Sequence, residues 1–495
     1  MAKKTTTKKT TRNNHKGTKK NSRSAAAANA PKTSGSGDRA PLVVVANRLP
    51  VRRVTSGNRS SWVTSPGGLV AALHPVLTET RGCWVGWPGE PDRGVEPFEH
   101  EGITLKPVTL SQQDVENYYY GFSNGTLWPL YHDSIRFPQF HRRWWWPYLE
   151  VNRRFADAAC EATAKNGTVW VQDYQLQLVP GMIRQQRPDL KVGFFLHIPF
   201  PSAEMFTRMP WRNRIIEGLL GSDLIGFQSK QSARNFARVA KQLSGATGSE
   251  SRLEHMGREI KVESHPIAID FERFESIASS EKVKEKAAAL RSYLGEDRNI
   301  ILGVDRLDYT KGIDVRLRAI EELYRDQLTT AAETVFVQIA VPSREAIDAY
   351  EQMRNDIETL VGRINGEYAD PGRVAVHYLY RGFPQDELIA YYLAADVLIV
   401  TPFQDGMNLV VKEYAASRVD DSGVIVLSEF AGAANELRDA MLVNPFDIDA
   451  VTSAIDQAVR LPEEDAKKRM RRMRKHLRKH DVYAWAEKFL DSLRN

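Results

Sequence analysis

The chain has 495 residues, 42% of them hydrophobic, and a formal net charge of +6. That length and apolar content support a large core divided among more than one domain, and no apolar run reaches the roughly 18 residues a membrane-spanning helix needs. The charge invites a nucleic-acid reading, but residues 1–40 hold eleven Lys or Arg against one acid, Asp38; removing that +10 from +6 leaves residues 41–495 at −4, and no specific nucleic-acid partner is expected.

In chain order, residues 1–40 are low-complexity Lys, Thr, Ser, Asn and Ala with almost nothing apolar to bury, so a disordered basic tail is expected. It lacks the apolar stretch of a secretory signal. From Pro41 onward, β-branched and aromatic runs alternate with helix-like segments. Leu42–Ala46, Val169–Gln172, Val192–Leu196 and Asp223–Phe227 read as one series of strands. Ile300–Val304, Thr334–Ala340, Val374–Leu379, Val397–Thr401 and Val424–Ser428 read as a second. This alternation predicts an α/β protein with two doubly wound, Rossmann-like domains of parallel sheet facing a cleft. The change-over is placed at Ser264–Phe271, where HPIAID reads as a strand leading into the charged helix Glu281–Leu294. The boundaries are therefore 1–40, 41–268, 269–478 and a C-terminal helix, 479–495, packing back on the body. In that last stretch Glu463, Glu464 and Asp465 precede Lys467, Lys468, Arg469, Arg471, Arg472 and Arg474, a charge order the helix dipole favours and that reads as a solvated face. Trp485, Phe489 and Leu493 follow at four-residue spacing as its packing stripe. Cys83 and Cys160 form neither a metal-spaced cluster nor a disulfide framework, and a cytoplasmic location is the default.

Six strand-like runs end on a charged or polar side chain: Arg48, Asp173, His197, Arg306, Arg344 and Asp405. Ligands of open α/β sheets sit beyond the carboxyl ends of the strands, so these residues are expected to share one crevice suited to a phosphorylated, hydroxyl-rich substrate. In TPFQDGMNLVVKEY (Thr401–Tyr414), Asp405-Gly406 predicts a tight turn and a helix from about Met407 or Asn408, whose free N–H groups favour an anion. Glu413, about two turns inside, could accept both hydroxyls of a ribose. GVDRLDYTKG brings Arg306 and Lys311 to a strand-to-helix loop, where two cations can neutralise a departing diphosphate, or pair trivially with Asp305 or Asp308. Gly67-Gly68 after Arg48 resembles a phosphate-approach loop, but no GxGxxG follows a strand and no Walker A motif is present, which disfavours a dinucleotide dehydrogenase. Ser123 in GFSNG matches the hydrolase GxSxG pattern without the strand before it, and Asp447-Ile448-Asp449 reads as a helix cap rather than a metal-holding DxD.

Together NYYYGFSNGTLWP, GFFLHIPFPS, GVDRLDYTKG, GRINGEY, TPFQDGMNLVVKEY and SEFAGAANEL closely resemble the trehalose-6-phosphate synthase family, retaining glycosyltransferases of the GT-B fold, from about Leu42 to the end. The resemblance implies glucosyl transfer from a nucleotide-glucose (UDP- or GDP-glucose) to glucose 6-phosphate, with no metal and no cofactor. It assigns Arg48, Tyr119, Trp128, Asp173 and Arg344 to the glucose 6-phosphate side, making 41–268 the acceptor domain. It assigns Arg306 and Lys311 to the diphosphate, His197, Asp405, Gly406, Met407, Asn408 and Leu409 to the donor sugar, and Glu413 to the ribose, making 269–478 the nucleotide-sugar domain. Gly68 and Trp87 are implied as further donor-side contacts, and Phe383 as a backbone contact to the base. Asp173, His197, Arg306 and Lys311 are the implied catalytic set. Gln172 and Gln175 depart from the histidines of many relatives, while Asp173 is retained. The chain ends at Asn495 without a DxDxT-type segment, so the product is expected to stay phosphorylated. Oligomeric state is left open, with a homo-oligomer compatible. Three other readings stand beside this one: a related transferase with another donor or a pseudo-sugar acceptor, a non-catalytic sugar-phosphate sensor, and a serine hydrolase acting through Ser123.

Overall fold

In the computed structural model, residues 39–56, 59–65, 68–344 and 347–495 are described; the basic tail to residue 38, and Gly67, lie outside them. The apolar runs form two large sheets. The first has ten strands. Its parallel centre runs, in spatial order, Arg258–Ser264, Leu224–Phe227, Lys191–Leu196, Thr163–Gln172, Ala40–Arg48, Cys83–Trp87 and Ile103–Pro107. Short antiparallel pairs close both edges. The second sheet has six parallel strands in the order Val376–Leu379, Thr334–Val341, Asn299–Arg306, Val397–Val400, Val424–Ser428 and Met441–Val443. Helices cover both faces of a parallel sheet, so its strands are apolar without alternation. Val43, Val44 and Val45 are all fully buried, as are Val335, Phe336 and Val337.

In each sheet the first strand of its series is interior, with later strands added on both sides. The strand order therefore reverses at Ala40–Arg48 and at Asn299–Arg306, where a ligand crevice is expected. Both strands end on an arginine, Arg48 and Arg306. The two carboxyl edges meet: a Cβ at Gly406, beyond the strand Val397–Val400, would collide with the carbonyl oxygen of His197, beyond the strand Lys191–Leu196.

His265–Asp270 is not the strand its composition suggested. Beyond His265 N–H, which donates to Phe227 O, its backbone groups are taken by partners outside any ladder. Ile267 N–H donates to Gln228 Oε1 and Ile267 O accepts from Lys412 Nζ, while the carbonyls of His265 and Ile269 accept from Trp485 Nε1 and Val482 N–H. The linker is thereby fixed as an extended strap, and a separate helix, Phe271–Ser279, precedes Glu281–Leu294.

The C-terminal stretch is two helices, Glu463–Lys479 and Val482–Arg494. The basic face of the former is only partly solvated. Arg474 is buried between Glu275 and Asp421, Arg471 and Arg472 pair with Asp421 and Asp439, and Arg478 pairs with Glu275. These acids come from distant segments that the linear charge pattern does not reveal. The last helix returns to the first sheet: Phe489 stacks on Trp170 with centroids 4.3 Å apart and planes within 6°, and Trp485 lies 5.2 Å from the same ring. Gly193 and Gly226 leave the space Phe489 fills. Replacing this fully buried ring, Phe489→Ala, should cost the first sheet roughly 3–5 kcal/mol; a loss of less than ~1 kcal/mol in unfolding free energy by denaturant titration would show that the helix is not part of that core.

Candidate active site

The acceptor side is built from the end of the first sheet and a wide helix beside it. Arg48 lies with its guanidinium carbon 4.4 Å over the Trp87 ring, its register neighbour on the adjacent strand. Tyr119 stands 6.5 Å from Trp87, within a 13-residue π-helix, Val115–Leu127. Such wide turns are commonly found at functional sites. Tyr118 O–H donates to Asn47 Oδ1 at 2.8 Å, tying this helix to the strand that carries Arg48. Trp128 follows the π-helix and is buried, with Arg344 3.9 Å and Arg306 5.4 Å from its ring. Behind it, His132 Nδ1 lies 2.8 Å from Trp128 O, and burial lowers the His132 pKa to about 4. Trp128 Nε1 and Arg344 Nε are buried donors with no acceptor among the described residues, a pair suited to an anionic or hydroxylated ligand.

Arg344 is held from both sheets. Its Nη1 is 2.7 Å from Asp308 Oδ2 and 2.5 Å from Tyr350 Oη, and Nη2 is 3.3 Å from Tyr174 Oη in the first sheet's half. Tyr174 in turn donates to Asn124 Oδ1. Burial alone would raise the pKa of Asp308, but Arg344, Arg306, Lys311 and the Thr310 N–H hold it well below the usual carboxylate range. Asp308, Tyr174, Tyr350 and His132 were not among the expected site residues. Asp308 sits in GVDRLDYTKG, yet nothing in its spacing separates a buried anchor from a surface pair.

Asp173 follows Thr163–Gln172 with φ +73°, a strained setting for a non-glycine residue. Its Oδ1 accepts the His197 N–H at 3.2 Å. Burial raises its pKa to about 6, opposed by the Tyr174 and His197 N–H groups and by Arg344 and Arg306. The His197 ring lies between Gln172 Oε1 (2.9 Å) and Gln228 Nε2 (3.5 Å), and burial lowers its pKa to about 3, so it is neutral at physiological pH.

On the donor side, the turn Tyr309–Lys311 directs Lys311 Nζ to Asp405 Oδ2 at 2.5 Å, rather than to Asp305 or Asp308. Asp305 pairs instead with buried Arg316, which also donates to Lys311 O. Burial would raise the Asp405 pKa, but Lys311 outweighs it and keeps the carboxyl below its ordinary value. Asn408, at φ +84°, caps the next helix, which begins at Leu409. Gly406 and buried Met407 lie in the turn before it, stitched to a second loop by Ala433 N–H to Met407 O and Gly432 N–H to Asp405 O. Glu413 is thus one turn inside the helix, not two, and accepts from Tyr392 O–H at 2.9 Å. Phe383 packs with Arg381 and Tyr391, beside the helix carrying Tyr392. Gly68 opens the helix Gly68–Thr80. Ser123 is fully buried inside the π-helix, which removes it as an exposed nucleophile, and Asp447 caps a helix through Ala450 N–H.

Residues 40–495 match the family model described as glycosyltransferase family 20. The chain belongs to that family. Among its family 20 relatives, the trehalose-6-phosphate synthase of Mycobacterium sp. (strain KMS) is 53% identical over 470 residues, covering 93% of this chain and 96% of that one. The structure of trehalose-6-phosphate synthase from E. coli bound with UDP-2-fluoro glucose superposes with a TM-score of 0.85 at 34% identity, over 91% of this chain and 98% of that one. The UDP-forming α,α-trehalose-phosphate synthase of Burkholderia xenovorans in complex with glucose-6-phosphate gives 0.84 at 32% identity, over 92% and 100%. The fold of this family 20 enzyme is accordingly GT-B.

Three outcomes are expected. A difference titration of side-chain carboxyl signals between wild type and Asp173→Asn should show one midpoint near 6; a midpoint near the ordinary 3.8 would refute the burial argument. Because the native pKa is raised, wild-type stability is lost as pH climbs from about 4 through 6, so Asp173→Asn should gain on wild type over that interval. Gly406→Ala should lower glycosyl transfer on the order of 100-fold by forcing the edges apart, with unchanged circular dichroism; retained activity would show that the contact is dispensable.

Proposed function

We propose that the cleft moves glucose from a nucleotide-glucose to the anomeric hydroxyl of glucose 6-phosphate, giving α,α-trehalose 6-phosphate with retention and without a metal. The observation that carries this reading is Arg344. One guanidinium, buried between Asp308 of the second sheet's half and Tyr174 of the first, lies against Trp128 and within electrostatic reach of Asp173. Arg48, Tyr119, Trp128 and Arg344 take the phosphate and ring of glucose 6-phosphate, and Asp173 takes its hydroxyls. Arg306 and Lys311 take the donor diphosphate, Lys311 exchanging Asp405 for it. Asp405 and the amides of Gly406 to Leu409 take the donor glucose, with His197, Gly68 and Trp87 beside it. Glu413 takes the ribose, and Phe383 meets the base. Residues 41–268 then serve the sugar phosphate and 269–478 the nucleotide, with 479–495 packing back on the body. Both substrates carry charged phosphates that do not cross a bilayer unaided, which favours the cytoplasm.

The chemistry this supports is front-face substitution. The bond from C1 to the leaving phosphate breaks while the acceptor oxygen bonds to the same face, and the acceptor's proton passes to the departing phosphate oxygen. At about 4 Å and an effective dielectric of 20, each cation–phosphate pair contributes roughly 4 kcal/mol before desolvation. Placing those cations before the charge develops is what lowers the barrier.

The test is an assay of the purified chain with glucose 6-phosphate against UDP-, GDP-, ADP- and TDP-glucose, with and without chelator, and the linkage read by NMR. Turnover of UDP- or GDP-glucose that survives chelation is expected; transfer from none of the four would end the proposal. Arg344→Ala should raise KM for glucose 6-phosphate roughly 10–100-fold while changing donor binding little, and Lys311→Ala should do the reverse. Equal effects on both substrates would refute the assignment of sides.

A further inference from the structure

We propose that Gln172 is a positioning residue that accepts the Nε2 proton of His197, in the tautomer that the Gln228 amide selects. The assignment starts from a backbone group that can only donate. Ile267 N–H gives its hydrogen to Gln228 Oε1 at 2.9 Å. The amide oxygen of Gln228 is thereby turned toward Ile267, and its NH2 group faces His197, whose Nδ1 lies 3.5 Å from Gln228 Nε2. An amide NH2 cannot accept, so Nδ1 carries the lone pair. The ring proton then sits on Nε2, and the group 2.9 Å from it is Gln172 Oε1. Gln172 Nε2 is left buried and without a partner among the described residues. Turning that amide over would present NH2 to a protonated Nε2 and bury the oxygen unpartnered instead, so the chain of donors from Ile267 decides the orientation.

His197 is therefore fixed at both ends by adjacent residues of one turn. Asp173 Oδ1 accepts its backbone N–H and Gln172 Oε1 accepts its ring N–H. The same relay extends to the donor side, because Ile267 O accepts from Lys412 Nζ at 2.8 Å, and Lys412 precedes Glu413 on its helix. Ile267 lies in the strap between the two sheets, so the ring's tautomer is tied to the segment that sets their spacing. A neutral ring whose proton is committed to Gln172 has no acid to offer the cleft. Its remaining group is the Nδ1 lone pair, whose contact with Gln228 is long, and that lone pair suits a hydroxyl of the donor sugar. Which ring nitrogen is protonated is generally set by the hydrogen bond at the other.

The kinetic arm of the test rests on the transfer reaction proposed above; the spectroscopic arm does not. Protein labelled with 15N at histidine ring nitrogens, studied by solid-state NMR without substrate and with the His197 signals identified by their loss in His197→Phe, should show protonated Nε2 and bare Nδ1. In Gln172→Met the Nε2 proton should remain, since Nδ1 still faces the Gln228 amide, but its resonance should lose the deshielding of the bond to Gln172 Oε1, with kcat down about tenfold and KM for glucose 6-phosphate within about twofold, as for one lost oriented hydrogen bond. Gln172→Glu keeps an oxygen in place and should restore the hydrogen-bonded Nε2–H signal. Protonated Nδ1 in the wild type would overturn the proposal. So would a Gln172→Met spectrum identical to wild type, whatever its activity.

Discussion

The carboxylate of Asp308 has no exposure to solvent, and it is kept ionised by Thr310, Tyr350, Arg306 and above all Arg344. A buried charge without compensation costs several kcal/mol, so the second sheet needs the Arg344 guanidinium in one place. From there Arg344 reaches Tyr174 and covers Trp128, both from the first sheet's half. The constraint that keeps Asp308 charged therefore also sets where the two halves meet. Among the described residues it leaves Arg344 Nε and Trp128 Nε1 as unmatched donors in the pocket that the same contact closes.

Backbone strain collects at the same edges. Asp173, Arg344 and Asn408 all adopt positive φ, at +73°, +52° and +84°. Each such residue costs of order 1–3 kcal/mol and persists only where its surroundings overdetermine it. Here the surroundings are visible. Asp173 is pinned by the His197 N–H, Arg344 by Asp308, and Asn408 by Val411 N–H and its own amide on Asp405. Gly406 completes the edge from the opposite side, since no larger residue fits beneath the His197 carbonyl. The strap at His265–Asp270 then limits how far the two sheets can part, because it is hydrogen-bonded to Gln228 on one side and Lys412 on the other, and the final helix ties it to the first sheet.

The polar residues ending each strand were legible before any fold was known. Parallel strands buried on both faces read as uninterrupted apolar runs, and a single Arg, Asp or His at the end of such a run stands out. Other features were not. HPIAID has strand composition but spends its backbone on Gln228, Lys412, Val482 and Trp485. Arg474 reads as one more charge on a basic face and is buried among acids from two other segments. Lys311 finds Asp405 94 residues away, and Arg344 finds Tyr174 170 residues away.

The order of residues alone determined the two sheets, the turns that end their strands and the charges placed at those turns, because periodicity and turn chemistry act over a few neighbouring residues. Only the tertiary structure decided which charges become partners, how far the carboxyls of Asp173 and Asp308 depart from their ordinary pKa in opposite directions, and which nitrogen of His197 keeps its proton. Those outcomes depend on desolvation and on angstrom-scale separations between distant segments. Gln172 and His197 are 25 residues apart in the chain and 2.9 Å apart in the fold.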